Sequence, residues 1–213
     1  ADLAPSRSAD SDYLHAACYL LHRLAHWPPP FPLPEKLAFF NEARHAYGRS
    51  ALMLSGGAGM GLNHLGVVKA LFEGGLLPTV LSGTSAGAMV ASMVCTMTDA
   101  ELRKFFASEM RVLPRTGHPT SFAFFDNVSL GRKVRRYFKK GTIHDVRWFQ
   151  GTVRKNVGEE TFQEAFARTG RILNITVTPM RSSEPPLLLN YMTAPHVMIW
   201  SAAAASAAPP AIF

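Results

Sequence analysis

Cysteine is nearly absent. Cys18 and Cys95 are the two in 213 residues, and neither stands in a Cys-x-x-Cys or Cys/His cluster. That excludes a disulfide framework and a zinc-knuckle design, predicts no bound metal, and fits a reducing, cytosolic setting. Acidic residues are scarce too, 15 against 22 lysines and arginines, for a formal net charge of +7. A basic balance of this kind suits nucleic acid, an anionic membrane face or no partner at all. Long apolar runs are missing. The nearest, "VMIWSAAAASAAPPAIF", is Ala-rich and broken by Pro209 and Pro210, which argues against a bilayer span. The opening "ADLAPSRSAD" lacks the basic-then-apolar layout of a secretory signal. With 47% apolar residues the chain holds enough for one domain with a real core.

The chain changes character near residue 49. Residues 1–48 read as a helical region with a proline linker: "YLHAACYLLHRLAH" has helical spacing, "WPPPFPLP" stops it, and "EKLAFFNEARHAYG" forms a second helix capped by Gly48. Residues 49–213 read as an α/β domain. "ALML" (51–54) is predicted as a short buried strand, "SGGAGMG" (55–61) as a flexible loop, and "LNHLGVVKALFEGG" as a helix closed by Gly74 and Gly75. "TVLSG" is the next strand and "TSAGAMVASMVCTM" the next helix, a βαβα unit that calls for a parallel sheet. Residues 99–170 read as mainly helical, with looser stretches such as "LPRTGHPTSFAFFDN". "RILNITVTP" is a strand, "PPLLLNYMT" its neighbour, and "VMIWSAAAASAA" an apolar helix. Met53, Met60, Met89, Met93 and Met97 are expected as core filling.

Positive charge concentrates in "GRKVRRYFKKG" (131–141). One reading is a solvated helix face. A second is a membrane-surface helix, with Arg132, Lys133, Arg135 and Arg136 as the contact residues, because Val134, Tyr137 and Phe138 interleave apolar contacts. No recognised nucleic-acid motif accompanies the patch, so nucleic acid is not expected as a partner.

Two glycine turns carry the chemistry. "GTSAG" (83–87) places Ser85 between Gly83 and Gly87 where a strand gives way to a helix. It is either a plain turn with a capping hydroxyl or a nucleophile elbow that presents a serine Oγ. "SGGAGMG" invites a phosphate reading, but a P-loop needs Lys and then Ser or Thr where Leu62 and Asn63 stand. The dinucleotide spacing G-x-G-x-x-G also fails, and no acidic residue ends the second strand. The same backbone amides suit the oxyanion of an acyl intermediate, and Gly56, Gly57 and Ala58 are small enough to let the chain approach. In a parallel unit both turns emerge at the carboxyl ends of adjacent strands, side by side.

"LSGGAGMGLNHLGVVKAL" followed by "LSGTSAGAM" resembles the patatin-like phospholipase family, and within it the fungal and plant storage-oil triacylglycerol lipases. "NEARHAYGRSALMLSGGA", "GTIHDVRWFQGTVRKNVGEETFQEAFARTGRILNITVTP" and "PPLLLNYMTAPHVMIWSAAAASAAPPAIF" also look like segments of those lipases, so the likeness runs from about residue 35 onward. It implies a patatin-like three-layer α/β/α fold with a mainly parallel sheet, and a cofactor-free serine acyl hydrolase. The substrate implied is an acylglycerol or phospholipid, met at a lipid droplet or membrane surface in the cytoplasm. Ser85 matches the family nucleophile, and Gly56, Gly57, Ala58 and Gly61 match its oxyanion loop, Ala58 replacing a glycine of plant patatins. The family's dyad aspartate lies in an Asp-Gly type motif downstream of "PPAIF". Here Asp2, Asp10, Asp12, Asp99, Asp126 and Asp145 are the aspartates, and glycine follows none. The expectation is a chain truncated at its C-terminus, inactive alone, with part of its last helix and a strand edge facing water. The alternative is a non-catalytic lipid-surface module that keeps the fold. His64, just past the glycine loop, is expected to brace that loop rather than act on a proton.

Overall fold

The computed structural model describes residues 7–27, 32–46, 50–125, 127–179, 185–209 and 212. The chain divides into two compact units, Ala1–Arg49 and Ser50–Phe213. The first holds α1 (Arg7–Ala25) and α2 (Leu33–Ala46). α2 begins earlier than the proline-rich spelling predicts because Pro34 sits in its first turn, where a missing N–H costs nothing. Lys36 Nζ donates to Ala25 O and Trp27 O at the end of α1. The cap expected at Gly48 lies outside the described residues.

The second unit is built on a sheet ordered β1 (Ala51–Leu54), β2 (Val80–Gly83), β3 (Ile172–Val177), β4 (Leu187–Leu189). The β1–β2 and β2–β3 pairs are parallel and β3–β4 is antiparallel. α3 (Asn63–Glu73) connects β1 to β2. α4 (Ala86–Cys95) follows β2 directly and packs on β1, β2 and β3. Every α4 residue except Met89 is buried, which is why its spelling "AGAMVASMVC" is apolar on all faces. Then come α5 (Asp99–Ala107), α6 (Leu130–Lys140), α7 (Val146–Val157), α8 (Phe162–Thr169) and, after β4, α9 (Ile199–Ser206).

Three expectations need correction. β1 is not a buried strand: it is an edge, with Ala51 and Met53 exposed and Leu54 buried. Met53 is 78% exposed and Met60 76%, so they do not fill the core; Met93 and Met97 do, and Met89 is half-buried. The segment predicted as a flexible loop contains a 3-10 turn, Ala58–Leu62. The last helix is covered on one side and exposed at Ala205. Ile199, Ala202, Ala203 and Ala204 are buried, and α9 packs on α4, α7 and β3. Water also meets the outer strands, at Met53 of β1 and at Leu187 and Leu188 of β4.

Electrostatic stitching fixes the far end of α4. Arg168 of α8 pairs with Glu101 and Glu160 and donates to Thr96 O. The buried Arg171 donates to Met97 O and pairs with Asp99. Burial opposes the charge on Glu101, but the Thr98 N–H, the Arg168 guanidinium and the Thr98 hydroxyl outweigh it and hold the carboxyl below its ordinary range. A folded pKa depressed in this way contributes stability at neutral pH, which is lost as the pH falls through that pKa.

Candidate active site

The strand-to-helix turn places Ser85 at the N-cap of α4, yet its side chain makes no capping hydrogen bond. Its backbone lies at φ 54°, ψ −123°, a region that side chains other than glycine rarely enter. Steric room on both sides permits the turn. A Cβ on Gly83 would sit 2.6 Å from Ala88 Cα, and one on Gly87 would overlap Leu54 O. Thr84 N–H donates to Leu54 O at 3.2 Å, tying the turn to the end of β1.

This close approach brings the two glycine turns together. A Cβ on Gly56 would lie 3.3 Å from Ser85 Cβ and 3.8 Å from Ser85 Oγ. A Cβ on Gly61 would run into Ala86 Cβ, so the 3-10 turn rests on the first residue of α4. Among the described residues, the amides of Gly56, Gly57 and Ala58 make no hydrogen bond. Gly56 packs against Ser85, and Ala58 lines the same cavity as Ser85, at the positive end of α4. Ala58 takes φ 48°, a left-handed conformation in which a glycine would sit without strain.

His64 sits where a loop brace is needed. Its Nε2 lies 2.9 Å from Ser55 O; a carbonyl only accepts, so Nε2 is the protonated nitrogen. Two aspartates of the second unit, Asp99 and Asp145, are engaged elsewhere. Asp145 caps α7 by accepting from Arg147 N–H, and Asp99 pairs with Arg171. Asp126 lies outside the described residues. Among those described, no side chain hydrogen-bonds Ser85 Oγ. Burial pushes the Cys95 thiol up to about 12, which removes it as a rival nucleophile. No group of three or more His, Cys, Asp or Glu among the described residues is placed to hold a metal ion.

A cavity of about 270 Å³ opens at Ser85. The glycine turn forms one side through Ala58, Gly59 and Gly61, and Met89 and Met93 of α4 form the floor. Phe122, Phe124, Phe125, Phe149 and Ile212 complete an almost wholly apolar wall. Larger clefts lie elsewhere, about 500 Å³ around Arg115 and Arg154 and about 640 Å³ around Asp99 and Arg103, but neither contains Ser85 and both are lined by charged residues. None of these wall residues stood out in the sequence, where Phe122, Phe124 and Phe125 fall in a stretch read as loose.

Ser206, at the end of α9, is a second residue that sequence reading missed. Its Oγ accepts the Ser85 N–H at 2.9 Å and donates to Thr176 O on β3 at 2.7 Å. It pins the strained backbone of the turn to the sheet. Ser206→Ala leaves that half-buried N–H without a partner, and the expected cost is about 1–3 kcal/mol in chemical denaturation. Ser206→Thr, which keeps the hydroxyl, is expected to recover most of that loss; equal loss in both would mean packing, not the bond, is at stake.

Comparison with known proteins covers the same region. The family model for patatin-like phospholipase matches residues 52–213. Triacylglycerol lipase SDP1L of Arabidopsis thaliana is 46% identical over 182 residues, covering 85% of this chain and 22% of the relative. Triacylglycerol lipase 5 of Saccharomyces cerevisiae is 40% identical over 184 residues, covering 83% and 24%. The chain thus spans less than a quarter of the length of either. The crystal structure of the type III effector protein ExoU overlays on 75% of this chain and 40% of its own at 21% identity, with a TM-score of 0.46. The family match takes in both glycine turns and the sheet that carries them, and on that ground the chain belongs to the patatin-like phospholipase family.

Proposed function

We propose that the chain carries the nucleophile and oxyanion site of a serine acyl hydrolase that cleaves carboxylic esters of acylglycerols or phospholipids. The observation that carries the reading is the hydroxyl of Ser85, which no described residue hydrogen-bonds, held in a strained turn against Gly56 and at the mouth of an apolar cavity. Ser85 Oγ attacks the acyl carbonyl and its proton passes to a base. The carbonyl oxygen becomes an oxyanion facing the amides of Gly56, Gly57 and Ala58. Collapse of the intermediate expels the alcohol, which takes up the proton, and leaves an acyl-enzyme that water hydrolyses. The lipase names of the relatives favour triacylglycerol as the ester. In the family pattern the base is an aspartate in an Asp-Gly type motif; glycine follows none of the six aspartates here, and we place that role in a residue outside these 213. Such an enzyme works at a lipid droplet or membrane surface in the cytoplasm.

A fluorophosphonate probe tests the reading on the protein that contains this chain. Expected is one stoichiometric adduct, mapped to the peptide holding Ser85, together with release of fatty acid from a triacylglycerol emulsion. An adduct at another serine, or hydrolysis that survives full modification of Ser85, overturns it. Lipid binding with neither adduct nor hydrolysis would point instead to a non-catalytic lipid-surface module.

A further inference from the structure

Residues 127–143 form an excursion that leaves and rejoins the protein at the wall of the Ser85 cavity. Phe125, which lines the cavity, is in ring contact with His144 at 4.8 Å between centroids. His144 N–H donates to the carbonyl of Ile212, another lining residue, at 2.8 Å. The excursion consists chiefly of α6, ended by Gly141 in a left-handed turn.

α6 is divided sharply along its length. Leu130, Val134, Tyr137 and Phe138 recur at helical spacing on one face, and all are exposed, Leu130 at 76% and Phe138 at 82%. Arg132, Arg135, Arg136 and Lys139 occupy the opposite face and line a groove of about 260 Å³. α6 contains no acid. Arg136 is tied inward, to Ile143 O at 3.3 Å and Asp145 at 3.8 Å. That tie anchors the charged side of the helix to residues 143–145 and turns the apolar face outward. Among the described residues no carboxylate pairs with Arg132, Arg135 or Lys139.

A solvated helix does not expose large apolar residues in a row, and a nucleic-acid site does not set them opposite its cations. We propose that α6 is an interfacial docking helix for an anionic lipid surface. Leu130, Val134, Tyr137 and Phe138 enter the boundary between headgroups and acyl chains, and Arg132, Arg135 and Lys139, on the opposite face, reach round to the lipid phosphates with their long side chains. Because the excursion closes on Phe125 and His144, docking sets the mouth of the Ser85 cavity against the surface from which an ester is drawn. The use of this surface rests on the lipid-ester reading; the binding itself does not.

The test compares the whole chain with two variants, Leu130→Ser/Phe138→Ser and Arg132→Glu/Arg135→Glu/Lys139→Glu. Flotation is measured with phosphatidylcholine vesicles and with vesicles also containing phosphatidylserine. Expected is preferential binding to the anionic vesicles that weakens with salt. Each variant should bind them at least about tenfold less well, a juxtamembrane cation being worth roughly fivefold. Hydrolysis of a short water-soluble ester by the protein that contains this chain should be unchanged in both variants, while hydrolysis of vesicle lipid falls. Equal wild-type binding to neutral and anionic vesicles, variants that bind like the wild type, or displacement of vesicles by an oligonucleotide each overturns the proposal. Absence of soluble-ester hydrolysis in the wild type counts against the serine hydrolase reading alone, since flotation scores the docking independently.

Discussion

Ser85→Ala is expected to lower ester hydrolysis by a factor on the order of 10⁴ or more in the protein that contains this chain, with no loss of folding. Removing a hydrolase's serine abolishes the covalent route and leaves only what the oxyanion site and binding contribute. A companion substitution separates chemistry from backbone strain. Ser85 sits at φ 54°, ψ −123° with no capping bond in return. Holding a residue with a side chain in such a region costs of order 1–3 kcal/mol. Ser85→Gly removes that cost and gives back part of it as the chain entropy of glycine, so a gain of about 1 kcal/mol is expected alongside complete loss of activity. Calorimetry and initial rates on a dispersed ester measure the two effects side by side. A Ser85→Gly protein that is less stable than the parent would show that the hydroxyl holds the turn together, and that the strain serves folding rather than reactivity.

What could be read from the sequence follows from how local each feature is. α4 is legible because an all-apolar run between a strand and a polar stop has one economical fate, burial on every face. β2 and β3 are legible by β-branched and apolar runs at strand length, and the parallel β1–β2 pair follows from the βαβ unit. β1 is not, because "ALML" spells the same in a central strand and at an edge; strand order, a long-range property, exposes Met53. Capping boxes at Thr98–Glu101 and Thr161–Glu164 were there to be read from the T-x-x-E spacing, and they mark the starts of α5 and α8. The catalytic candidates were legible as a pair of glycine turns. Their surroundings were not. Phe122, Phe124 and Phe125 reach the cavity from a loop, Phe149 from α7 and Ser206 from α9, and no short-range pattern announces a contact across 121 residues such as Ser85 N–H to Ser206 Oγ.

Gly87→Ala is expected to cost more stability than any other single methyl addition in the site. The added Cβ would overlap Leu54 O and lie 2.7 Å from Ser55 O, and both obstacles are backbone, which cannot rotate away. α4 and the end of β1 would have to separate. That movement breaks the 3.2 Å bond from Thr84 N–H to Leu54 O and draws Gly56 away from Ser85. Strain on core backbone of this kind falls among the largest single-residue effects, above about 4 kcal/mol, enough to leave much of a marginal domain unfolded. A control isolates the cause. Gly66 in α3 has open space where its Cβ would go, so Gly66→Ala is expected to stabilise by up to about 1 kcal/mol through helix propensity. Denaturant unfolding of both variants, read with fluorophosphonate labelling of Ser85, checks the argument. If Gly87→Ala folds with parental stability and labels at the parental rate, then the approach of α4 to β1 is not what brings the two glycine turns together, and the geometry of the oxyanion site must be held from the α9 side, through Ser206.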